Sequence, residues 1–133
     1  DLNTFAKNIR ELGRRVEVNT HREKRQVAAV VNQIITLGTP VKTGRARNNW
    51  DIGLGEPWRG VTQEVDPSGL GAVARNNAKI ATSKAGQDIF ISNNLPYINR
   101  LNQGWSSQAP AAFVEEAVAL GSQSVANARI LKR

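Results

Sequence analysis

Apolar residues recur every three or four positions along the first third of the chain. They fall at Leu2, Phe5, Ile9, Leu12 and Val16, then at Val27, Val30, Ile34 and Leu37. This is one helical stripe, and Thr20 and Glu23 hold its phase across the gap. The spacing predicts one long helix over 2–37, or two collinear helices, with Asn3 or Thr4 suited to cap the start and Gly38 to stop it. Its middle, E-V-N-T-H-R-E-K-R-Q, is polar nearly all round. That pattern belongs to an arm that projects beyond its own domain or lies against neighbours. The competing expectation is a solvated face with Glu11, Glu17 and Glu23 as ionic partners.

The period changes after Pro40–Trp50, P-V-K-T-G-R-A-R-N-N-W. Pro40 cannot continue a helix, and Gly44 gives the backbone a turn without steric cost. Trp50, Ile52 and Leu54 then alternate with polar or small residues, the period of a half-buried strand. G-E-P-W-R-G reads as a turn and V-T-Q-E-V as a second strand, giving a hairpin. Leu70–Ala85 reads as a helix with Leu70, Val73, Ala74, Ala78 and Ala81 on one face. Gln87–Asn93 reads as a strand and Leu95–Asn102 as a short helical turn ended by Gly104. Ala111–Leu131 is a final helix, started by Pro110, with a stripe of Val114, Ala117, Val118, Gly121 and Val125. The expected architecture is a single α+β domain over 1–133: a long N-terminal helix over 1–38 that can project, then over 39–133 a small, mainly antiparallel sheet of three or four strands and packing helices, including a long C-terminal one.

Composition changes this picture in two ways. At 133 residues with a 40% hydrophobic fraction, the chain holds one core of Ala, Val, Ile and Leu, and partner subunits are expected to supply part of the burial. Eighteen Lys and Arg against eleven Asp and Glu give a formal net charge of +7. Such a balance favours acidic partners, whether nucleic acid, an anionic surface or an acidic protein ring. The basic residues are spread along the chain, which weighs against a dedicated DNA reader.

The chain has no cysteine, which excludes disulfides, thiolate metal sites and cysteine nucleophiles. No apolar run approaches the ~20 residues of a membrane span, and the start, D-L-N-T-F-A-K-N-I-R, lacks the apolar core of a signal peptide. A soluble protein that makes no membrane contact is expected. Phosphate-cradle motifs are missing. The only histidine, His21, has Glu17 four residues before it but no further ligand partner, so it reads as a solvated helix residue. Glu115 and Glu116 are helix neighbours that point apart. Asp51 and Glu56, flanking a turn, are the one formal carboxylate pair. No catalytic, metal-binding or cofactor-binding set emerges, and the expectation is a protein that is not an enzyme.

Two segments, taken together, resemble the small tail-completion or minor tail proteins of long-tailed bacteriophages, the lambda tail protein Z group of head–tail joining components. P-V-K-T-G-R-A-R-N-N-W is similar to that family's proline, hydrophobic-x-Thr-Gly-x-Leu-Arg and polar–aromatic entry into a strand. I-S-N-N-L-P-Y-I-N-R-L-N-Q-G-W at 91–105, followed by A-P-A-A-F-V-E-E-A-V at 109–118, is similar to its Asn–Tyr–hydrophobic–Gly element and the Pro–x–x–Phe opening of its last helix. Ala46 stands where a larger aliphatic is usual, and Asn102 where an acidic residue often precedes the glycine.

The resemblance implies a virion structural protein of the tail or neck, assembled in the host cytoplasm. Its partners would be further copies of itself in a ring, with a hexamer expected, the adjacent tail-terminator or tail-tube and head-connector proteins, and DNA in the central channel. In a ring the contacts are heterologous and close by rotation. The candidate contact residues are Lys42, Arg45 and Arg47 at the start of the first strand, the loop tryptophans Trp58 and Trp105, Tyr97, and Arg14, Arg15, Arg22 and Arg25 on the long helix. A basic nucleic-acid-binding accessory protein is the alternative from another class.

Overall fold

A computed structural model describes residues 21–104 and 113–131, and the side chains of the last helix as far as Gln123. Five helices and one antiparallel pair of strands follow in order: α1 (His21–Gly38), α2 (Arg45–Asn48), β1 (Asp51–Leu54), α3 (Leu70–Ala81), β2 (Ile89–Ser92), α4 (Ile98–Asn102) and α5 (Phe113–Leu131). The class is α+β, as the periodicities predict. The expected continuation of α1 toward residue 2, and with it Arg14 and Arg15, lies outside the described residues.

α1 is the central element, with α5 against one side and α3 against another. It stops where the sequence says it must: Gly38 and Pro40 cannot extend it, and the Thr39 hydroxyl donates to the Ile35 carbonyl at 2.6 Å, satisfying a group of the last turn. Its buried residues are Ala28, Val31, Asn32, Ile35 and Thr36, while Val27 and Ile34 pack at the margin of the core. The buried stripe is therefore rotated by about one residue from the apolar one, because two polar side chains are taken inside. α5 buries Val114, Ala117, Val118 and Gly121, as its stripe predicts. Val114, Ala117 and Val118 meet Trp50, Ile52, Ile80, Ile91, Leu95, Ile98 and Phe113 in one cluster.

Two expectations are corrected. The face of α3 that reads as apolar is the outer one: Leu70 is 64% exposed, and Ala74, Ala78 and Ala81 are exposed too. The inner face carries Ala72, Asn76 and Ile80, and the helix ends at Ala81 rather than Ala85. A buried amide accounts for the misreading, since Asn76 is fully enclosed yet hydrogen-bonded (below) and hydropathy counts it as polar.

Among the described residues the sheet has two strands, not three or four, and no hairpin joins 50–54 to 61–65. β1 pairs instead with β2, with Asp51 opposite Ser92 and Leu54 opposite Ile89. At Gly53 the chain folds tightly across β1: a Cβ there would lie 2.1 Å from the Glu56 carbonyl oxygen and 2.6 Å from the Trp58 nitrogen. Segment 61–65 is bonded by side chains rather than by a neighbouring strand.

Candidate interaction surface

Pro40–Trp50 is a knot of main-chain carbonyls gripped by side chains. Arg45 and Arg47 lie on the single turn α2, not at the start of a strand, and this changes what they can reach. Arg47 donates from Nε to the Thr39 carbonyl (2.9 Å), from Nη2 to Leu37 (2.8 Å), and from Nη1 to Pro67 (3.0 Å) and Ser68 (3.2 Å). It thus places its positive fork on the last carbonyls of α1, where the helix dipole is negative, and ties them to the turn before α3. Arg45 donates from Nε to the Thr62 carbonyl at 3.1 Å. Ala46, between them, is buried. The small side chain at this position fits its enclosure.

A second layer of amides lies beneath. Asn76 donates to the Trp50 carbonyl (2.8 Å) and to Asn32 Oδ1 (3.2 Å). Asn32 in turn reaches the Val73 carbonyl and Asn77. Arg75 holds the Asn48 and Trp50 carbonyls at 3.0 Å each and pairs with Asp51 at 3.7 Å. Lys79 also pairs with Asp51, and its ammonium lies 4.8 Å from the centre of the Trp58 ring.

The polar stretch of α1 is not simply solvated. His21 Nε2 lies 2.8 Å from the Ser83 carbonyl, which also accepts from Arg25, while Arg25 Nε donates to the Ser83 hydroxyl at 3.2 Å. Lys24 reaches the Gln87 carbonyl at 3.1 Å. Three basic side chains of one helix face therefore hold the connection between α3 and β2. This corrects the solvated reading of His21.

The remaining candidates separate clearly. Lys42 and Arg22 are exposed. Trp58 is 43% exposed. Tyr97 is half-buried against the core, so its ring serves packing. Trp105 lies outside the described residues. The sequence reading did not single out Asn48, Asn49, Asn76, Asn93, Asn94 or Arg75. The signal for them is present in the repeated Asn-Asn pairs at 48–49, 76–77 and 93–94.

Asp66 belongs with them. It sits before α3, where its Oδ2 accepts the Ala72 N–H at 2.9 Å and its Oδ1 the Ser68 hydroxyl at 3.0 Å. The Ala72 amide chiefly, with the Ser68 hydroxyl and the Gly69 and Gly71 amides, holds its carboxyl below the usual range against an opposing effect of burial. A depressed folded value means stability that is present above the unfolded pKa, about 3.9, and lost as pH falls through the folded one. Asp66→Ala is expected to cost about 1 kcal/mol at neutral pH. The difference should shrink at pH 3 and below in urea unfolding. A gap that stays constant down to pH 2 would remove the carboxylate from the explanation.

Among the described residues, no group of three His, Cys, Asp or Glu side chains could hold a metal ion, and no helix is long and apolar enough to cross a membrane. No family model, curated protein or solved structure matches this chain.

Proposed function

We propose that the chain is a non-enzymatic virion protein of a tailed bacteriophage, a tail-completion or neck component that forms a ring joining the tail-tube end to the head connector. The observation that carries this reading is that the separate segments of the resemblance are built into one unit. Asn93, in I-S-N-N-L-P-Y, donates to the carbonyl of Ala46, in P-V-K-T-G-R-A-R, at 2.9 Å. Asn102 donates to both carboxylate oxygens of Glu115 (3.1 and 3.0 Å) and accepts the Val114 N–H at 3.0 Å, tying the second segment to the start of α5. An acidic residue at 102 would stand against Glu115, so the departure from the family pattern has a local electrostatic reason.

The rival reading, a basic nucleic-acid-binding protein, draws less support from the geometry. Arg25, Arg45, Arg47, Arg75 and Lys79 direct their donors to the chain's own carbonyls, to the Ser83 hydroxyl or to Asp51. Phosphate contact at these donor atoms would displace the bonds.

The test is genetic. Particles made without this protein should accumulate separate heads and tails in electron micrographs, and normal infectious virions would sink the proposal. The same assay locates the contact. Lys42→Glu should impair joining and leave the melting temperature unchanged, since Lys42 is exposed. Charge reversal of Arg47 is not a clean probe, because it dismantles the end of α1.

A further inference from the structure

Segment 57–66 runs without a helix or turn and has one satisfied edge. The Trp58 and Gly60 carbonyls both accept from Asn94 Nδ2, at 2.9 and 3.0 Å. Asn49 imitates a neighbouring strand: its Nδ2 donates to the Thr62 carbonyl at 3.1 Å and its Oδ1 accepts the Thr62 N–H at 3.0 Å. Asn48 Nδ2 donates to the Glu64 carbonyl at 3.2 Å, and the Asp66 N–H donates to the Gly44 carbonyl at 3.0 Å. The inward groups belong to residues 58, 60, 62, 64 and 66, a period of two.

In extended chain the main-chain groups of the alternate residues point the other way. Those residues are Arg59, Val61, Gln63 and Val65. All four are exposed, Val61 at 51% and Val65 at 53%, and their main-chain groups bond to nothing among the described residues. This is an open strand edge carrying two exposed β-branched side chains, the arrangement that invites a further strand.

We propose that residues 61–65 form a docking edge for the same segment of a second copy of this chain, paired antiparallel about a two-fold axis at Gln63. The sequence V-T-Q-E-V selects this occupant, because it is close to a palindrome. In that register Val61 stands opposite Val65 of the second copy, Gln63 opposite Gln63, and Thr62 opposite Glu64. Apolar side chains meet each other, and no like charges are opposed. A register centred on Thr62 would place each valine against a glutamine or an arginine. One centred on Val61 would bring Pro57, which has no N–H, opposite Val65. The contact is small beside the ~1,000 Å² of a stable interface, so the association is weak and concentration-dependent. It does not rest on the ring reading: a two-fold contact is isologous, whereas ring contacts are heterologous.

Sedimentation equilibrium of the full chain from about 10 μM to 1 mM tests it, a range suited to weak association. The expected result is a reversible monomer–dimer equilibrium that Gln63→Pro weakens at least about tenfold, with an unchanged melting temperature. Among the described residues the Gln63 N–H bonds nothing, and Thr62 lies in no helix or turn, so proline is tolerated there in the monomer. Because the chain has no cysteine, Gln63→Cys gives a single thiol on the proposed axis. A short bis-maleimide should cross-link it, and should not cross-link Lys42→Cys. A monomer at every concentration, a dimer indifferent to Gln63→Pro, or equal cross-linking at both positions would each overturn the proposal.

Discussion

Trp50→Ala is expected to lower the unfolding free energy by about 3–5 kcal/mol, the range for removing a large aromatic side chain from a core. Trp50 is fully buried, and its indole N–H donates to the Thr39 hydroxyl at 2.8 Å. That hydroxyl donates onward to Ile35. Trp50 therefore joins the end of α1 to the start of β1 through both packing and a hydrogen bond. Its carbonyl is held as well, by Asn76 and Arg75. Against a total stability of about 5–15 kcal/mol, the loss is a large share of the fold.

Trp50→Phe separates the two contributions. It keeps most of the aromatic volume and gives up the indole N–H, whose acceptor remains bonded through its own proton. The cost should be about 1–2 kcal/mol, a lost hydrogen bond plus a partial cavity. Urea unfolding followed by far-UV circular dichroism measures both variants. If alanine costs less than phenylalanine is expected to, the indole is not a core residue.

Much of this architecture is legible in the sequence, and the reasons differ by element. The described part of α1 and the α5 stripe are read because their apolar spacing matches their period, and Trp50 because its neighbours alternate. The failures share one cause. Asn76, Asn32, Asn48, Asn49, Asn93 and Arg75 bury or half-bury polar groups by bonding them to main-chain carbonyls. Hydropathy counts each of these residues as surface. Asn76 therefore turns the expected face of α3 outward, and Asn49 and Asn48 take the inward bonds of Thr62 and Glu64 that the expected hairpin gives to a sister strand. A side-chain amide carries the same donor and acceptor as a peptide, so it can complete a ladder that no strand-pairing rule detects.

The same chemistry engages the arginine contact candidates Arg25, Arg45 and Arg47. An arginine beside a helix end reads as a free cation, yet the carbonyls at that end are the nearest acceptors. Arg47 finds two of them, at Leu37 and Thr39, and two more in the turn at Pro67 and Ser68. Of the contact candidates, Lys42, Arg22 and the partly exposed Trp58 remain on the surface, beside the open edge at Val61 and Val65.

The second large effect is expected at Gly44, and it isolates crowding from backbone strain. Gly44 has φ +92°, and a Cβ there would lie 2.3 Å from the Pro67 nitrogen and 2.6 Å from the Asp66 carbonyl carbon. Both are main-chain atoms, so no side chain can swing aside. The Gly44 carbonyl accepts the Asp66 N–H at 3.0 Å and the Asn48 N–H at 3.1 Å, which fixes the crossing from both sides. Moving 66–67 away would also loosen Arg47 from Pro67 and Ser68 and disturb the Asp66 carboxylate at the start of α3. Gly86 offers the matched control, with φ +79° and nothing within 4 Å of its added Cβ. Gly86→Ala should therefore show left-handed strain alone, about 1–2 kcal/mol. Gly44→Ala should show that strain plus about 1–3 kcal/mol of overpacking, roughly 3 kcal/mol together. Equal losses in parallel urea titrations would mean that only the backbone angle matters at Gly44. A clearly larger loss there would mark the Thr-Gly of the 40–50 motif as the point where the segment before α3 crosses the end of α1, a structural demand that a reading as a basic turn does not contain.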